Sequence, residues 1–306
     1  MENKRPSVFV VFFALCCLVL TSGCETSGVF DNLGAIQVGN FRLSESQVGA
    51  IKKSAQAMGK AFTDITPEQE YYVGRAVGAT LLGRYQPRTE ANSVQYLNLV
   101  GDSLAAVSDM PETYGGYHFV LLEDEGINAF AAPGGLIFIS RGMLRCCQDE
   151  DTLAAVLAHE IAHVQLKHGL QAIKTSRLTT AFSIMATEGA KQAGGPELSQ
   201  LTALFEDSIH DVTATLVNSG YSRAFEREAD AVALVILGRA GYDQHSLVTL
   251  LREMKLRLNP QGLDFAKTHP DPAERIAELE PQLGEATVPP GKPQRQQRFK
   301  SIFGSI

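Results

Sequence analysis

Two histidines one helical turn apart, with a glutamate beside the first, constrain this chain more than any other feature. The stretch Ala154–Gly169 reads AAVLAHEIAHVQLKHG and carries His159, Glu160 and His163 in the order H-E-x-x-H. On a helix, residues i and i+4 share a face, so two imidazoles at this spacing can reach one ion. Glu160 lies about 100° round from His159, beside such an ion rather than on it. Helix signals surround the motif. Asp149, Asp151 and Thr152 precede it, where caps and first-turn acids belong. Leu153, Val156, Leu157, Ile161 and Val164 recur at helical spacing, and Gly169 is a weak stop signal.

A paired imidazole set with an adjacent carboxylate is the pattern of zinc-dependent peptide hydrolysis, in which Glu160 takes a proton from the attacking water. A third ligand is needed. One class of such enzymes continues with Gly and His at the positions held here by Leu166 and Gly169. His168 comes one residue early, about 140° from His163 on a continuous helix, and is expected to be a packing or surface residue. The third ligand must therefore come from another helix. YSRAFEREADAVALVIL, Tyr221 to Leu237, offers Glu226 and Asp230 at i and i+4. Glu226 can ligate the metal, and Asp230 can accept the free ring N–H of a ligand histidine, His159 being the best placed. Glu228 is expected to face away.

With these residues the chain resembles the HtpX-like and CAAX-prenyl-protease family of gluzincin metallopeptidases. The likeness rests on H-E-I-A-H, on S-R-x-x-E-x-x-A-D (Ser222 to Asp230), on INAFAAPGGLIFISRGML (Ile127 to Leu144) and on THPDPAERI (Thr268 to Ile276). It covers roughly residues 65–283 and points to the soluble periplasmic branch, since no run of 18 apolar residues exists to form a membrane helix. It implies one Zn²⁺ per chain, held by His159, His163 and Glu226. It also implies an active-site position for the late loop, where His269 either stabilises the tetrahedral oxyanion or occupies the fourth zinc position as a latch. Arg275 follows as a weaker substrate-binding candidate. Asn128 and the Gly134-Gly135 turn are candidates to flank a substrate groove along an exposed strand edge.

The amino terminus has its own logic. Lys4 and Arg5 precede a short apolar core, Ser7 to Leu20, and then Thr21-Ser22-Gly23-Cys24. This reads as a signal peptide over residues 1–23, with Cys24 as a lipidated first residue. By resemblance to enterobacterial lipoproteins, Glu25 after the cysteine directs the protein to the inner leaflet of the outer membrane, facing the periplasm. The membrane is then a partner through the lipid anchor. A net charge of −7 argues against nucleic acid as a partner. Adjacent Cys146 and Cys147 match no C-x-x-C pattern.

The expected fold is α+β and mostly helical: a zincin-like metallopeptidase domain with a small β-sheet preceding the HExxH helix. Residues 24–60 are a tether and helical segment, 61–285 the peptidase domain, and 286–306 a disordered basic tail. Strands are expected at Tyr117–Leu122, Asn128–Ala131 and Leu136–Ser140. Thr66-Pro67-Glu68-Gln69 is a helix start. The expected activity is endopeptide hydrolysis of unfolded or misassembled cell-envelope proteins, with outer-membrane assembly machinery as a candidate partner. The alternative is a periplasmic chaperone or assembly factor using the same cleft without cutting.

Overall fold

The computed structural model describes residues 36–38, 41–43, 65–173, 206–257, 269–286 and 288–304. The expected signal peptide, Cys24 and the helical segment before residue 62 lie outside these. Part of the expected tether is ordered: β1 (Ile36–Val38) pairs antiparallel with β2 (Phe41–Leu43). No helix among the described residues is long and apolar enough to cross a membrane.

Helix α1 (Pro67–Leu82) begins at the expected cap, with Thr66 Oγ1 accepting from Gln69 N and Gln69 Oε1 accepting from Thr66 N. Helix α2 (Ala91–Ala105) follows, capped by Glu90. Strands β3 (His118–Leu122), β4 (Ala129–Ala132) and β5 (Leu136–Ser140) then form a sheet in the order β3-β5-β4. β5 runs parallel to β3 and antiparallel to β4, and all five of its residues are buried.

Strand alternation divides the sheet between two cores. Ile137 and Ile139 join Phe119, Leu121, Ala129 and Ala131 on one face, against α2 and the HExxH helix. Leu136 and Phe138 join Phe130, Ala132 and Leu122 on the other, against Val73, Val77 and Leu81 of α1. The mostly helical α+β fold is therefore a small sheet covered on both faces.

After the short α3 (Arg141–Cys146) comes α4 (Glu150–Gln165), the helix that carries H-E-x-x-H. Asp149 caps it in a reciprocal pair with Thr152. Every residue from Glu150 to Val164 is buried, because the sheet, α2 and later helices surround it. Cys146 and Cys147 are buried and not in a disulfide, each thiol donating to a carbonyl four residues back. Helix α5 (His168–Gln171) follows, and a helical run over 206–214 ends in a π turn, Thr215–Ser219. Then come α6 (Arg223–Ala240), α7 (Ser246–Arg257), α8 (Pro272–Leu279) with a 3₁₀ turn Glu280–Gln282, and α9 (Lys292–Phe303).

Helix α9 corrects the expectation of a disordered tail. Composition predicts disorder there, yet Phe299 and Phe303 are buried, Phe303 against Tyr96 of α2. Its basic residues answer acids at the start of α4. Arg295 Nε donates to Asp151 Oδ1 at 2.6 Å, and Arg298 Nη2 donates to Glu150 Oε1 at 2.7 Å. Tyr96 and Tyr242 hydroxyls also donate to Glu150. The tail looked solvated because its partners are buried acids about 145 positions away, which local composition does not register.

Candidate active site

The site is built where α4 and α6 lie side by side, with the loop before α8 closing over them. His159 and His163 leave α4 one turn apart with their Nε2 atoms 3.1 Å from each other. Ser222 caps α6 and starts the helix so that Glu226 falls in its first turn, opposite the two rings. Glu226 Oε2 lies 3.6 Å from His159 Nε2, and Oε1 lies 3.5 Å from His163 Nε2. His269, from the loop leading into α8, places its Nε2 3.6 Å from Glu226 Oε1. Single donor atoms from these four buried residues all lie within 4.8 Å of one another.

This donor set fits zinc. Metal–ligand bonds of 2.0–2.2 Å in a tetrahedron put neighbouring donors about 3.3–3.6 Å apart, close to the spacings here. Glu226 is 1% exposed and neither carboxylate oxygen has a hydrogen-bond partner. A buried carboxylate without donors is costly unless a cation satisfies it. The ring protons support the same arrangement. His159 donates from Nδ1 to Asp230 Oδ1 at 2.9 Å, which leaves Nε2 as a lone-pair donor toward the centre.

Asp230 is held in turn by Arg275. Nε donates to Oδ2 at 2.9 Å and Nη2 to Oδ1 at 2.6 Å, a two-pronged grip on one carboxylate. Burial alone would raise the Asp230 pKa, but Arg275 and His159 outweigh it and hold the carboxyl at about 2. Burial and the neighbouring charge of Arg275 work against charge on His159, but the facing carboxylates of Asp230 and Glu226 lift it to about 9 in the absence of metal. Glu160 is 1% exposed, and its Oε1 has no hydrogen-bond partner. Burial pushes it up to about 7; His159 opposes the rise and Glu226 adds to it. A carboxylate of that basicity is poised to exchange protons near neutral pH.

The structure brings together His159, Glu160, His163, Glu226, Asp230, His269 and Arg275. Arg275 sits deeper than a substrate contact, with two of its three nitrogens committed to Asp230; Glu278 pairs with Arg227. Asn128 is buried, its amide donating to Asp124 and its backbone N–H to Ser140 Oγ. Gly134 and Gly135 both have positive φ, at +72° and +92°. Their turn is tied to α1, Gly134 N–H donating to Glu70 Oε1 at 3.3 Å. Pro133 of that turn meets Gly169, where a Cβ would lie 3.1 Å from the proline ring. The turn thus abuts α5, the short helix that follows α4, while Asn128 belongs to the opposite end of β4.

Three residues near the cluster escape sequence reasoning. His168 is completely buried, with Nδ1 2.8 Å from His163 Nδ1 and Nε2 3.4 Å from Glu228 Oε2. The continuous-helix argument put it 140° away, but the helix is not continuous. Lys167 adopts a left-handed conformation (φ 56°), so α5 starts afresh and His168 swings under His163. Glu228, expected to face away, is buried and turned to His168. Tyr221 stacks on His163 with ring centroids 4.5 Å apart.

Comparison with known proteins follows the same residues. Over 217 residues, 69% of this chain and 58% of the relative, the sequence is 33% identical to the mitochondrial metalloendopeptidase OMA1 of Schizosaccharomyces pombe. It is 28% identical to the beta-barrel assembly-enhancing protease of Yersinia pestis, over 75% of this chain and 50% of that protein. The Escherichia coli protein of the same name matches at 28% over 60% of this chain and 37% of its own length. The chain thus spans roughly a third to three fifths of the relatives it matches. Residues 91–282, from α2 through the 3₁₀ turn after α8, match the model of peptidase family M48, and the chain belongs to that family.

Proposed function

We propose that this chain is a zinc-dependent endopeptidase. The observation that carries the reading is the buried donor cluster His159, His163, Glu226 and His269, beside the unpaired Glu160 oxygen. His159, His163 and Glu226 hold the ion. Bound zinc supplies Lewis acidity, polarising a carbonyl and making water easier to deprotonate. Glu160 takes the proton of the attacking water and passes it to the leaving amine. Asp230 keeps the His159 proton on Nδ1, and Arg275 fixes Asp230. The edge strand β4 receives substrate as an added strand, with the Gly134-Gly135 turn at one end and Asn128 at the other.

Glu160→Gln tests this. Cleavage of an unfolded protein such as casein falls by about 10²–10⁴-fold while zinc content stays at one per chain. Unchanged cleavage in that variant would remove Glu160 from the reaction.

A second reading has its own observation. His269 belongs to the same donor cluster and would supply a fourth ligand, where an active zinc site keeps an open position. In the resting form His269 therefore latches the site, and it leaves when substrate enters. An oxyanion role for His269 is the competing assignment within the same loop. If Glu160→Gln still rescues envelope defects in cells, holding rather than cutting is the main function.

The substrates we propose are unfolded or misassembled envelope proteins. Two of the relatives above are named for enhancing β-barrel assembly, which supports this class and the outer-membrane assembly machinery as partner. Lipidation at Cys24 and a periplasmic position at the outer membrane complete the proposal, on the signal-like residues 1–23.

A further inference from the structure

Each of the two ligand histidines has its second ring nitrogen turned to a partner, and the partners differ. His159 Nδ1 meets the Asp230 carboxylate directly. His163 Nδ1 meets another imidazole, His168, at 2.8 Å, and that ring's Nε2 faces Glu228 at 3.4 Å. Resting on the zinc reading above, we propose that His168 is a positioning residue that sets the tautomer and ring orientation of His163, with Glu228 holding His168 in turn.

Proton placement leaves one consistent arrangement. His163 Nε2 faces His159 and Glu226, so as a ligand it presents its lone pair there and carries its proton on Nδ1. His168 Nδ1 must then accept. A neutral imidazole that accepts on Nδ1 carries its proton on Nε2, the atom turned to Glu228. The chain runs from the Glu228 carboxylate through His168 Nε2–H, His168 Nδ1 and His163 Nδ1–H to the ligand nitrogen. Such outer partners hold a ligand ring in place and raise its basicity.

The surroundings fix His168 as a part would be fixed. It is fully buried, and its ring stacks on Phe225 at 4.3 Å between centroids with a 5° interplanar angle. Its approach depends on the left-handed Lys167, the one non-glycine residue with positive φ among those described. That conformation is unfavourable for a residue with a Cβ and persists only where neighbours over-determine it. Lys167 Nζ pairs with buried Glu70 at 3.2 Å, and Glu70 also takes the Gly134 N–H. A ring wanted only for packing could follow a continuous helix at no such cost.

The test uses the full chain and reads zinc affinity by competition with a chromophoric chelator, with Co²⁺ absorption as a second probe of ligand geometry. His168→Phe keeps the ring and its stacking but cannot accept from His163. His168→Asn places an amide oxygen near the Nδ1 position and restores the acceptor without the link to Glu228. Zinc affinity falls about 10–100-fold in His168→Phe, is largely recovered in His168→Asn, and falls less in Glu228→Gln than in His168→Phe. The Co²⁺ spectrum shifts in His168→Phe alone. Wild-type affinity in a folded His168→Phe would overturn the proposal. So would equal losses in Phe and Asn variants that track loss of thermal stability, since that is the mark of packing. Failure of the underlying reading looks different: wild type itself would bind no zinc, or Glu226→Gln would bind it equally well.

Discussion

At the residue scale, the latch proposed for His269 would set whether the site is open or closed. Its Nε2 stands within the ligand cluster, and burial together with the charge of neighbouring His159 and Arg275 holds its pKa well below the ordinary histidine value. A neutral imidazole is the form that ligates. His269→Ala therefore raises the rate of casein cleavage. A gain of about tenfold corresponds to a resting enzyme open about a tenth of the time. A fall in rate, with zinc content unchanged, would assign His269 to the oxyanion instead. H-E-x-x-H and E-x-x-x-D were legible as pairs on one helix face because helical spacing is a local property of sequence. His168 was not, since one left-handed residue invalidates the angle computed for an unbroken helix.

At the scale of elements, two joints hold the catalytic helix. At its carboxyl end the bend at Lys167 turns the chain into α5. Lys167→Val places a β-branched residue in a region it tolerates poorly, and is expected to lose about 1–3 kcal/mol in denaturant unfolding. Lys167→Gly relieves the backbone and loses less, and equal losses would remove the strain argument. At its amino end, α9 supplies Arg295 to Asp151, which is 1% exposed. Arg295→Met leaves a buried carboxylate short of a partner, a change that costs about 3–5 kcal/mol when no other cation is near. Lys292, 3.8 Å from Asp151, moderates it.

The pH dependence of that loss has a definite sign. Burial already raises the Asp151 pKa, with Arg295 and Lys292 opposing it, and removing Arg295 raises it further. A carboxyl whose folded pKa is raised destabilises the fold when ionised, and the penalty lifts as pH falls through that raised value. Melting curves of Arg295→Met and wild type should lie furthest apart near pH 7 and converge toward pH 4. A gap constant in pH would mean lost packing rather than an unpaired charge.

At the scale of the whole molecule, a metal that binds only the folded chain stabilises it by mass action. Zinc at about 100 times its dissociation constant contributes roughly 2.7 kcal/mol. For a domain of this size each kcal/mol moves Tm by about 2–4 °C, so chelation should lower Tm by about 5–10 °C, with Glu226→Gln insensitive to the chelator. The donor cluster joins residues from α4, α6 and the loop before α8, so an ion held there would act on the global rather than a local stability.

Sequence alone determined the features that depend on short-range spacing. These are the α1 capping pair, the strand boundaries to within a residue or so, the helix carrying two imidazoles on one face, and the second helix carrying Glu226 and Asp230. Tertiary structure decided what depends on distant partners. It ordered α9, whose arginines and phenylalanines are hydrophilic tail by composition and become a clasp only beside Glu150, Asp151 and Tyr96. It turned Arg275 onto Asp230 and Glu228 toward His168, pairings across 45 and 60 positions. The physical reason is common to all of them. A buried charge is worth what its partner makes it worth, and the partner is brought by the fold, not by the neighbouring residues in the chain.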